Sequence, residues 1–142
     1  YRNKFARDEN IMRNKARECA FKIIFASLFG SEETPSFRRG VYKELDEEET
    51  AYADRLVELV QGHSAELTAL LDKYSIGFSE KRIFPADKSL LMMAMAEMKY
   101  SDDVPDIVAI DEAVGLAKKY STERSAGFVN GVLAAFLNGG KE

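Results

Sequence analysis

The sequence predicts an all-α fold, in a single domain of about five to seven helices. Apolar residues recur at intervals of three and four along most of the chain, which is the spacing of an amphipathic helix. No segment shows the strict alternation of apolar and polar residues that is typical of a half-buried strand. The chain has 142 residues, of which 46% are hydrophobic and 31% charged, and this composition is typical of one folded domain.

The first predicted helix covers residues about 12–29 and ends at Gly30, because glycine commonly follows the last turn of a helix. Its apolar face is formed by Ala16, Ala20, Ile23, Ile24 and Leu28. We interpret the preceding residues, 1–11, as an N-terminal extension or tag-like segment that can be disordered. The domain proper then covers residues 12–138, and residues 139–142 form a C-terminal tail.

A long apolar stripe follows the segment 31–42, which is predicted to be a loop with or without a short helical turn. The stripe steps by three and four from Tyr52 to Tyr74, over about six helical turns. Gly62 lies inside this pattern, so it marks either a kink or a break into two helices. Acidic residues precede the stripe in the first turn, where the helix dipole favours negative charge. They are Glu47, Glu48 and Glu49.

The segment from Pro85 to Tyr100 is apolar on nearly every side. A helix of this kind is buried on most sides, so we expect it at the centre of the domain, with its methionines in the core. Pro105 fits the first position of the next helix. A last helix follows the cap residues of the segment 121–125. Its apolar face is formed by Phe128, Val129, Val132, Leu133 and Phe136.

The search for an enzyme site finds little. There is no glycine-rich dinucleotide motif, no phosphate-binding P-loop and no nucleophile elbow. One cysteine, Cys19, and one histidine, His63, cannot form a disulfide or a zinc site on their own. Their helical positions favour a packed thiol and a partly buried core histidine. We therefore predict no enzymatic activity, no catalytic residue, no metal and no cofactor.

The distribution of charge says more about partners than the total does. The net charge of −4 taken alone argues against nucleic acid as a partner. However, residues 1–22 carry a net charge of +4, and residues 32–66 carry −6. Arg13 and Arg17 are about 40° apart on the first helix and share one face. We interpret this face as a basic tip that projects beyond the body, since positive charge at a helix start opposes the helix dipole.

The last helix contains two residues that are poor helix formers, Asn130 and Gly131. A close approach of another helix is one explanation, and a contact to a ligand is the other. Phe128, near the start of the same helix, either packs in the core or stacks on a nucleic-acid base. The residue pattern by itself leaves both alternatives open.

Three motifs resemble those of the NusB family of transcription antitermination factors. They are MRNKARECA at residues 12–20, DKSLL at 87–91, and VPDIVAIDEAVGLAKKYSTERSAGFVNGVL at 104–133. The resemblance covers residues 12–137, and the order and spacing of the motifs match the family. This resemblance implies two small helical bundles packed against each other. It also implies that the region 12–138 is an RNA-binding domain.

The resemblance further implies that the protein binds boxA-type single-stranded RNA and the ribosomal protein NusE, and joins them to elongating RNA polymerase. The RNA contacts implied in this sequence are Arg13, Lys15, Arg17, Lys88 and Phe128. The implied protein-partner surface comprises Asp87, Glu123 and Arg124. We expect a cytoplasmic factor that supports transcription of ribosomal RNA operons. The alternative is a NusB-like adaptor or RNA-engaging module without antitermination activity, and a homodimer is compatible with either.

Three residues depart from the family pattern. Asn14 stands where arginine or lysine is common, Met92 where arginine is frequent, and Arg124 where an acidic residue is common. Separately, we expect the acidic stretch 32–66 to attract a basic ribosomal protein. Charge reversal at Glu47, Glu48 and Glu49 should then slow association with NusE.

Overall fold

The computed structural model describes residues 4–30, 34–76 and 82–142, with side chains described from residue 13 onward. Within these residues it contains seven α-helices and no strand, which confirms the all-α prediction. The helices are α1 (Lys4–Leu28), α2 (Pro35–Val41), α3 (Glu47–Gly62), α4 (Ser64–Tyr74), α5 (Pro85–Tyr100), α6 (Asp106–Tyr120) and α7 (Ser125–Asn138).

Helix α1 begins at Lys4, earlier than the predicted start near residue 12. Arg13 therefore lies about two and a half turns inside the helix. The effect of the helix dipole fades within the first turn, so the argument that the dipole opposes these arginines was wrong. The interpretation of residues 1–11 as an extension stays a prediction. At the other end, Gly30 has φ +95°, as expected of a residue that ends a helix.

In two places between α1 and α4 the structure decides between predicted alternatives. Part of the predicted loop is the short helix α2, where Pro35 occupies a first-turn position and the Thr34 hydroxyl accepts a hydrogen bond from the Phe37 N–H at 3.0 Å. Residues 31–33 lie outside the described residues. The long apolar stripe breaks at His63, because α3 ends at Gly62 and α4 begins at Ser64.

The chain divides into two compact units, an N-terminal unit (residues 1–58) and a C-terminal unit (residues 59–142). In the C-terminal unit, α5 packs against α4, α6 and α7. Every side chain of α5 from Ser89 to Met98 is buried, which confirms the predicted central position and the assignment of its methionines to the core. Met92 is one of these fully buried residues, so this departure from the family pattern is accommodated by packing.

In the N-terminal unit, the start of α3 is closed by a reciprocal pair of hydrogen bonds. The backbone N–H of Asp46 donates to Glu49 Oε1 at 2.9 Å, and the N–H of Glu49 donates to Asp46 Oδ1 at 2.8 Å. Such a capping box satisfies backbone donors that have no partner inside the helix. Glu49 is buried, so the grouping of Glu49 with the exposed Glu47 and Glu48 as a surface for a partner was wrong.

Two further findings concern the described part of the chain only. None of its helices combines the length and the apolar character needed to cross a membrane. Across the same ranges, no three histidine, cysteine, aspartate or glutamate side chains are grouped so that they could hold a metal ion.

Candidate nucleic-acid interface

In the N-terminal unit, two arginines of α1 lie on one aromatic ring of α3. The guanidinium carbon of Arg13 is 4.6 Å from the centroid of the Tyr52 ring, and that of Arg17 is 5.8 Å away. Residues four apart on a helix share a face, so the prediction that these two arginines lie together is confirmed. A cation over an aromatic face is attracted by the ring quadrupole, which holds both guanidinium groups in place.

The two arginines differ in their access to solvent. Arg17 is only 1% exposed, and its Nη1 donates to Asn14 Oδ1 at 3.3 Å, whereas Arg13 is half-buried. The prediction that both project beyond the body is therefore wrong for Arg17. The reason is that a long side chain packs its apolar stem along neighbouring surface, and here Tyr52 also receives the charged end. Lys15 is exposed. That these three residues contact RNA stays a prediction.

The C-terminal unit contains a cavity of about 690 Å³. Its walls come from the start of α7, the segment before it, and the segment that leads into α5. It brings together four of the predicted site residues, namely Asp87, Glu123, Arg124 and Phe128. The other residues of the wall are Arg82, Ile83, Phe84, Thr122 and Ser125. Lys88, which is half-buried on α5, is not part of this wall.

Asp87 lies beneath the cavity and holds the start of α7. Its Oδ1 accepts a hydrogen bond from the Ser121 hydroxyl at 2.6 Å, and its Oδ2 accepts one from the Ser125 hydroxyl at 2.9 Å. The Thr122 hydroxyl lies 2.8 Å from the Ser125 hydroxyl and extends the network. We call Asp87, Ser121, Thr122 and Ser125 the hydroxyl cluster. Hydrogen bonds to a charged group are among the stronger ones in proteins, so this cluster fixes α7 relative to α5.

This geometry shows that the predicted role of one site residue, Asp87, was wrong. Asp87 was expected in the protein-partner surface, but it is only 2% exposed and both of its carboxylate oxygens are occupied. It positions the cavity wall and offers no surface to a partner. Glu123 and Arg124 are exposed and Phe128 is half-buried, so these three remain accessible. Their assigned roles stay predictions.

The two poor helix formers of α7 are both on the surface. Asn130 and Gly131 are exposed, and a Cβ atom placed at Gly131 would have no neighbouring atom within 4 Å. The explanation that a neighbouring helix requires this glycine was therefore wrong. Gly139, at the end of α7, is the opposite case, because a Cβ there would collide with the side chain of Tyr74.

His63 and Cys19 behave as packed side chains. His63 is half-buried and its ring stacks on Tyr100, with 4.0 Å between the ring centroids. The Cys19 thiol donates to the Val41 carbonyl oxygen at 3.5 Å. Burial raises the pKa of this thiol, which disfavours the reactive thiolate. Both predictions of a structural role are confirmed.

Sequence reasoning missed three residues of these two sites. Tyr52 was counted only as a member of the apolar stripe of α3, although its ring receives both arginines. Arg82 and Phe84 precede α5 in a segment without a recognisable motif. A phenylalanine two residues after an arginine is a weak signal in a sequence, because the sequence does not show whether either side chain will be exposed.

The comparison with protein families finds one match. The sequence model of the NusB family matches residues 14–138. Among curated proteins, the chain is similar to the transcription antitermination protein NusB of Agathobacter rectalis, with 38% identity over 128 residues. This match covers 87% of the chain and 98% of that protein. The protein of the same name from Limosilactobacillus fermentum is 40% identical, with 85% and 89% of the two chains covered.

Solved structures agree with this comparison. A structure of NusB from T. maritima has a TM-score of 0.81 and 28% identity, and the match covers 89% of this chain and 90% of that one. A crystal structure of the antitermination factors NusB and NusE in complex with dsRNA contains a chain with a TM-score of 0.79 and 26% identity. That match covers 90% of this chain and 97% of the other.

Proposed function

The chain belongs to the NusB family, and from that premise we propose that it is a transcription antitermination factor. It binds boxA-type single-stranded RNA together with the ribosomal protein NusE, and joins them to elongating RNA polymerase on ribosomal RNA operons. The observation that carries the proposal is the family match over residues 14–138, because this range contains most of the basic motif of α1 and all of the α7 motif. Bacterial transcription is cytoplasmic, and so is the proposed location.

RNA binding is supported by the way α1 presents its charges. Arg13 is half-buried and held over Tyr52, so less side-chain entropy is lost when it meets a phosphate. Lys15 adds an exposed charge to α1. Neutralising phosphates releases counterions, so the affinity falls as salt rises. Phe128 is half-buried in the wall of the cavity, and an aromatic ring at a protein surface can stack on an unpaired base.

Binding of NusE is supported by the charge at the start of α3. Glu47 and Glu48 are exposed there. A negative surface attracts a basic ribosomal protein and speeds the encounter between the two. The buried Glu49 is excluded from this surface, because its carboxylate closes the helix.

An alternative function is a NusB-like adaptor or RNA-engaging module without antitermination activity. The burial of Arg17 favours it, since Arg13 and Lys15 then supply the accessible charge of the α1 motif. Asn14 reduces that charge further relative to the family pattern. Self-association into a homodimer is compatible with both functions, and sedimentation analysis of the chain at two concentrations measures it.

The test is a titration of boxA RNA and a scrambled RNA of equal length at two salt concentrations, with and without NusE. We expect tighter binding of boxA RNA, further strengthened by NusE. Arg13→Ala should weaken the binding, and the matched control Arg39→Ala, which removes an exposed arginine of α2, should leave it unchanged. Equal affinity for both RNAs, with Arg13→Ala silent, would favour the adaptor.

A second measurement addresses NusE. Glu48→Lys should lower the association rate constant at low salt, and the difference should shrink as salt screens the charges. Asp111→Lys makes the same change of charge at an exposed position of α6 and serves as the control. Identical association rates for the two variants would remove the acidic surface from the proposal.

A further inference from the structure

We propose that Tyr52 of α3 is a positioning residue for RNA recognition. Its aromatic ring orders the side chain of Arg13 before RNA arrives, and it acts through that arginine without contacting the RNA itself. Tyr52 lies outside all three family motifs, so none of the implied roles falls on it. The inference rests on the proposed function, because the effect of Tyr52 on recognition is measured as RNA affinity.

The ring of Tyr52 is the point where two cationic side chains of α1 meet α3. The guanidinium carbon of Arg13 lies 4.6 Å from the ring centroid, and that of Arg17 lies 5.8 Å from it. Both distances are within the range of about 6 Å over which an aromatic face attracts a cation. One side chain of α3 therefore holds both arginines of the α1 motif.

The two arginines take different parts in this arrangement. Arg17 is almost fully buried, and its Nη1 donates to Asn14 Oδ1 at 3.3 Å. Packing of Arg17 against the ring supports Tyr52 from within the N-terminal unit. Arg13 is half-buried, so it is the more accessible cation of the pair and the one that the ring can present to a phosphate.

Ordering an arginine in advance favours binding. A long side chain that is mobile in the free protein loses its rotamer freedom when it binds, which lowers the affinity about 2- to 10-fold. Contact with Tyr52 restricts Arg13 already in the folded protein, so this loss does not fall on the binding step. A neutral ring also holds a cation without cancelling its charge, whereas a carboxylate would weaken the attraction to phosphate.

A ring at this place has a second possible use, because aromatic side chains also stack on unpaired bases. A base would have to take ring surface over which a guanidinium group already lies. The geometry therefore favours positioning over base stacking. The two roles give different results in a double-mutant cycle, since only positioning requires Arg13.

The experiment is a double-mutant cycle of Tyr52 and Arg13 in the binding of boxA RNA. Tyr52→Leu should weaken binding about 2- to 10-fold when Arg13 is present. In the background of Arg13→Ala it should change nothing, because no guanidinium group is left to position. Tyr52→Phe keeps the ring and should bind RNA like the wild type. If Tyr52→Leu weakens binding equally in both backgrounds, the ring contacts RNA directly and the positioning role is refuted.

A second readout needs no RNA. Nitrogen-15 relaxation of the Arg13 Nε–H group reports the order of this side chain on the fast timescale. The side chain should be ordered in the free wild type and change little when RNA binds. In Tyr52→Leu it should be mobile in the free protein and become ordered on binding. An Arg13 side chain that is mobile in the free wild type would refute the inference.

Two controls separate positioning from stability and from charge in general. Val57→Ala removes buried methyl groups from the same helix, so it should lower stability and leave RNA affinity unchanged while the protein is folded. Lys15 is exposed and lies about 200° around α1 from Arg13. Tyr52→Leu should therefore weaken binding by the same factor with and without Lys15→Ala. Circular dichroism of every variant checks that the fold is kept.

The outcomes separate this inference from the proposed function. If boxA RNA binds and Tyr52→Leu changes neither its affinity nor the order of Arg13, the positioning role is refuted while RNA binding stands. If Tyr52→Leu lowers affinity only in the presence of Arg13, and Tyr52→Phe does not, both stand. If the protein binds no RNA, the proposed function falls, and a role in RNA recognition falls with it even where Tyr52 orders Arg13.

Discussion

The arginines of α1 and the arginines of the cavity carry the same charge but are held in different ways. Arg17 is almost fully buried and shares Tyr52 with Arg13, so its charge is part of the packing of the N-terminal unit. Arg82 and Arg124 are exposed on a wall that other residues support. In the first region the charged side chains take part in the packing. In the second region the charged side chains lie on the surface, and buried residues below them hold the helices together.

This difference has a practical consequence for mutagenesis. In the α1 region, a loss of RNA binding on mutation can result from unfolding as readily as from a lost contact. In the cavity, Asp87, Thr122 and Ser125 belong to both the wall and the hydroxyl cluster. The wall residues Arg82, Phe84, Arg124 and Phe128 lie outside the cluster, so changes to these four should have little effect on stability.

The largest effect is expected for Arg17→Ala. It should lower the free energy of unfolding by about 3 kcal/mol, because a large buried side chain is removed and a cavity is left. Arg13→Ala should cost only about 1 kcal/mol, the value of a cation over an aromatic ring at a partly exposed site. Urea unfolding followed by circular dichroism measures both. If the two variants lose the same small amount, Arg17 does not belong to the packing and the comparison fails.

Asp87→Ala should have the second largest effect. It should lower the free energy of unfolding by about 2 kcal/mol, because two hydroxyl groups lose a charged acceptor. Asp87→Asn should cost less, because the amide oxygen still accepts one hydrogen bond. Phe84→Ala is the matched change in the wall and should alter stability by less than about 0.5 kcal/mol. Thermal and urea unfolding of the three variants test whether Asp87 supports the fold and Phe84 does not. If Phe84→Ala lowered the free energy of unfolding as much as Asp87→Ala, this distinction would be wrong.

Gly131→Ala should stabilise α7 by about 1 kcal/mol, because glycine is a poor helix former and the added methyl group meets no atom. RNA and NusE titrations of the same variant then show whether the surface around Gly131 is used. Gly139→Ala is the contrasting change and should destabilise, since its methyl group would collide with Tyr74. If Gly131→Ala destabilised the protein, a neighbouring group would have to occupy the space beside Gly131.

Arg124→Asp should change stability and binding in opposite directions. Negative charge at the start of α7 interacts favourably with the helix dipole, so stability should rise by about 0.5–1 kcal/mol. RNA affinity should fall, because the change adds negative charge that repels the phosphates of the RNA. Unfolding curves and the RNA titration described above measure the two changes, and a rise in both stability and affinity would contradict the prediction.

The smallest effect on stability is expected at Glu66, which forms an exposed ion pair. Its carboxylate lies 2.8 Å from Lys99 Nζ and accepts a hydrogen bond from the Tyr100 hydroxyl at 2.7 Å. These contacts lower the pKa of Glu66, while burial and the bond to Glu66 raise the pKa of Tyr100 to about 12. The carboxylate is well exposed, so its contribution is at most about 0.5 kcal/mol.

A carboxyl group whose pKa is lower in the folded than in the unfolded protein stabilises the fold at a pH above its unfolded pKa. This stabilisation is lost as the pH falls through the pKa of the folded state. Glu66→Gln should therefore cost this small amount at pH 7 and almost nothing at pH 3. Unfolding midpoints of the wild type and the variant at both pH values measure the difference. If the difference in unfolding midpoint between the wild type and the variant were larger at pH 3 than at pH 7, the pKa of Glu66 would be raised and not lowered.

Periodicity predicted the helices well because burial of an apolar face leaves a direct trace in the sequence. The central position of α5 followed from its apolar character on all sides, and the break at Gly62 was one of two alternatives that the pattern allowed. The start of α1 was missed because residues 4–11 are mostly polar, and such a segment gives no apolar stripe.

The site was harder to predict, since it depends on which side chains meet after folding. Helical spacing placed Arg13 and Arg17 on one face, but it did not reveal that Tyr52 of α3 covers that face and buries Arg17. The cavity joins residues of the segment before α5 to residues near α7, which are far apart in the chain. The resemblance pointed to Phe128 and Arg124, and only the fold added Phe84 and Arg82.

The hydroxyl cluster also joins parts of the chain that are far apart in sequence. Asp87 accepts hydrogen bonds from Ser121 and Ser125, which follow it by 34 and 38 residues. Contacts of this separation form only after a long loop has closed, which costs chain entropy. We therefore expect the cluster to form late in folding, after α5 and α7 have come together.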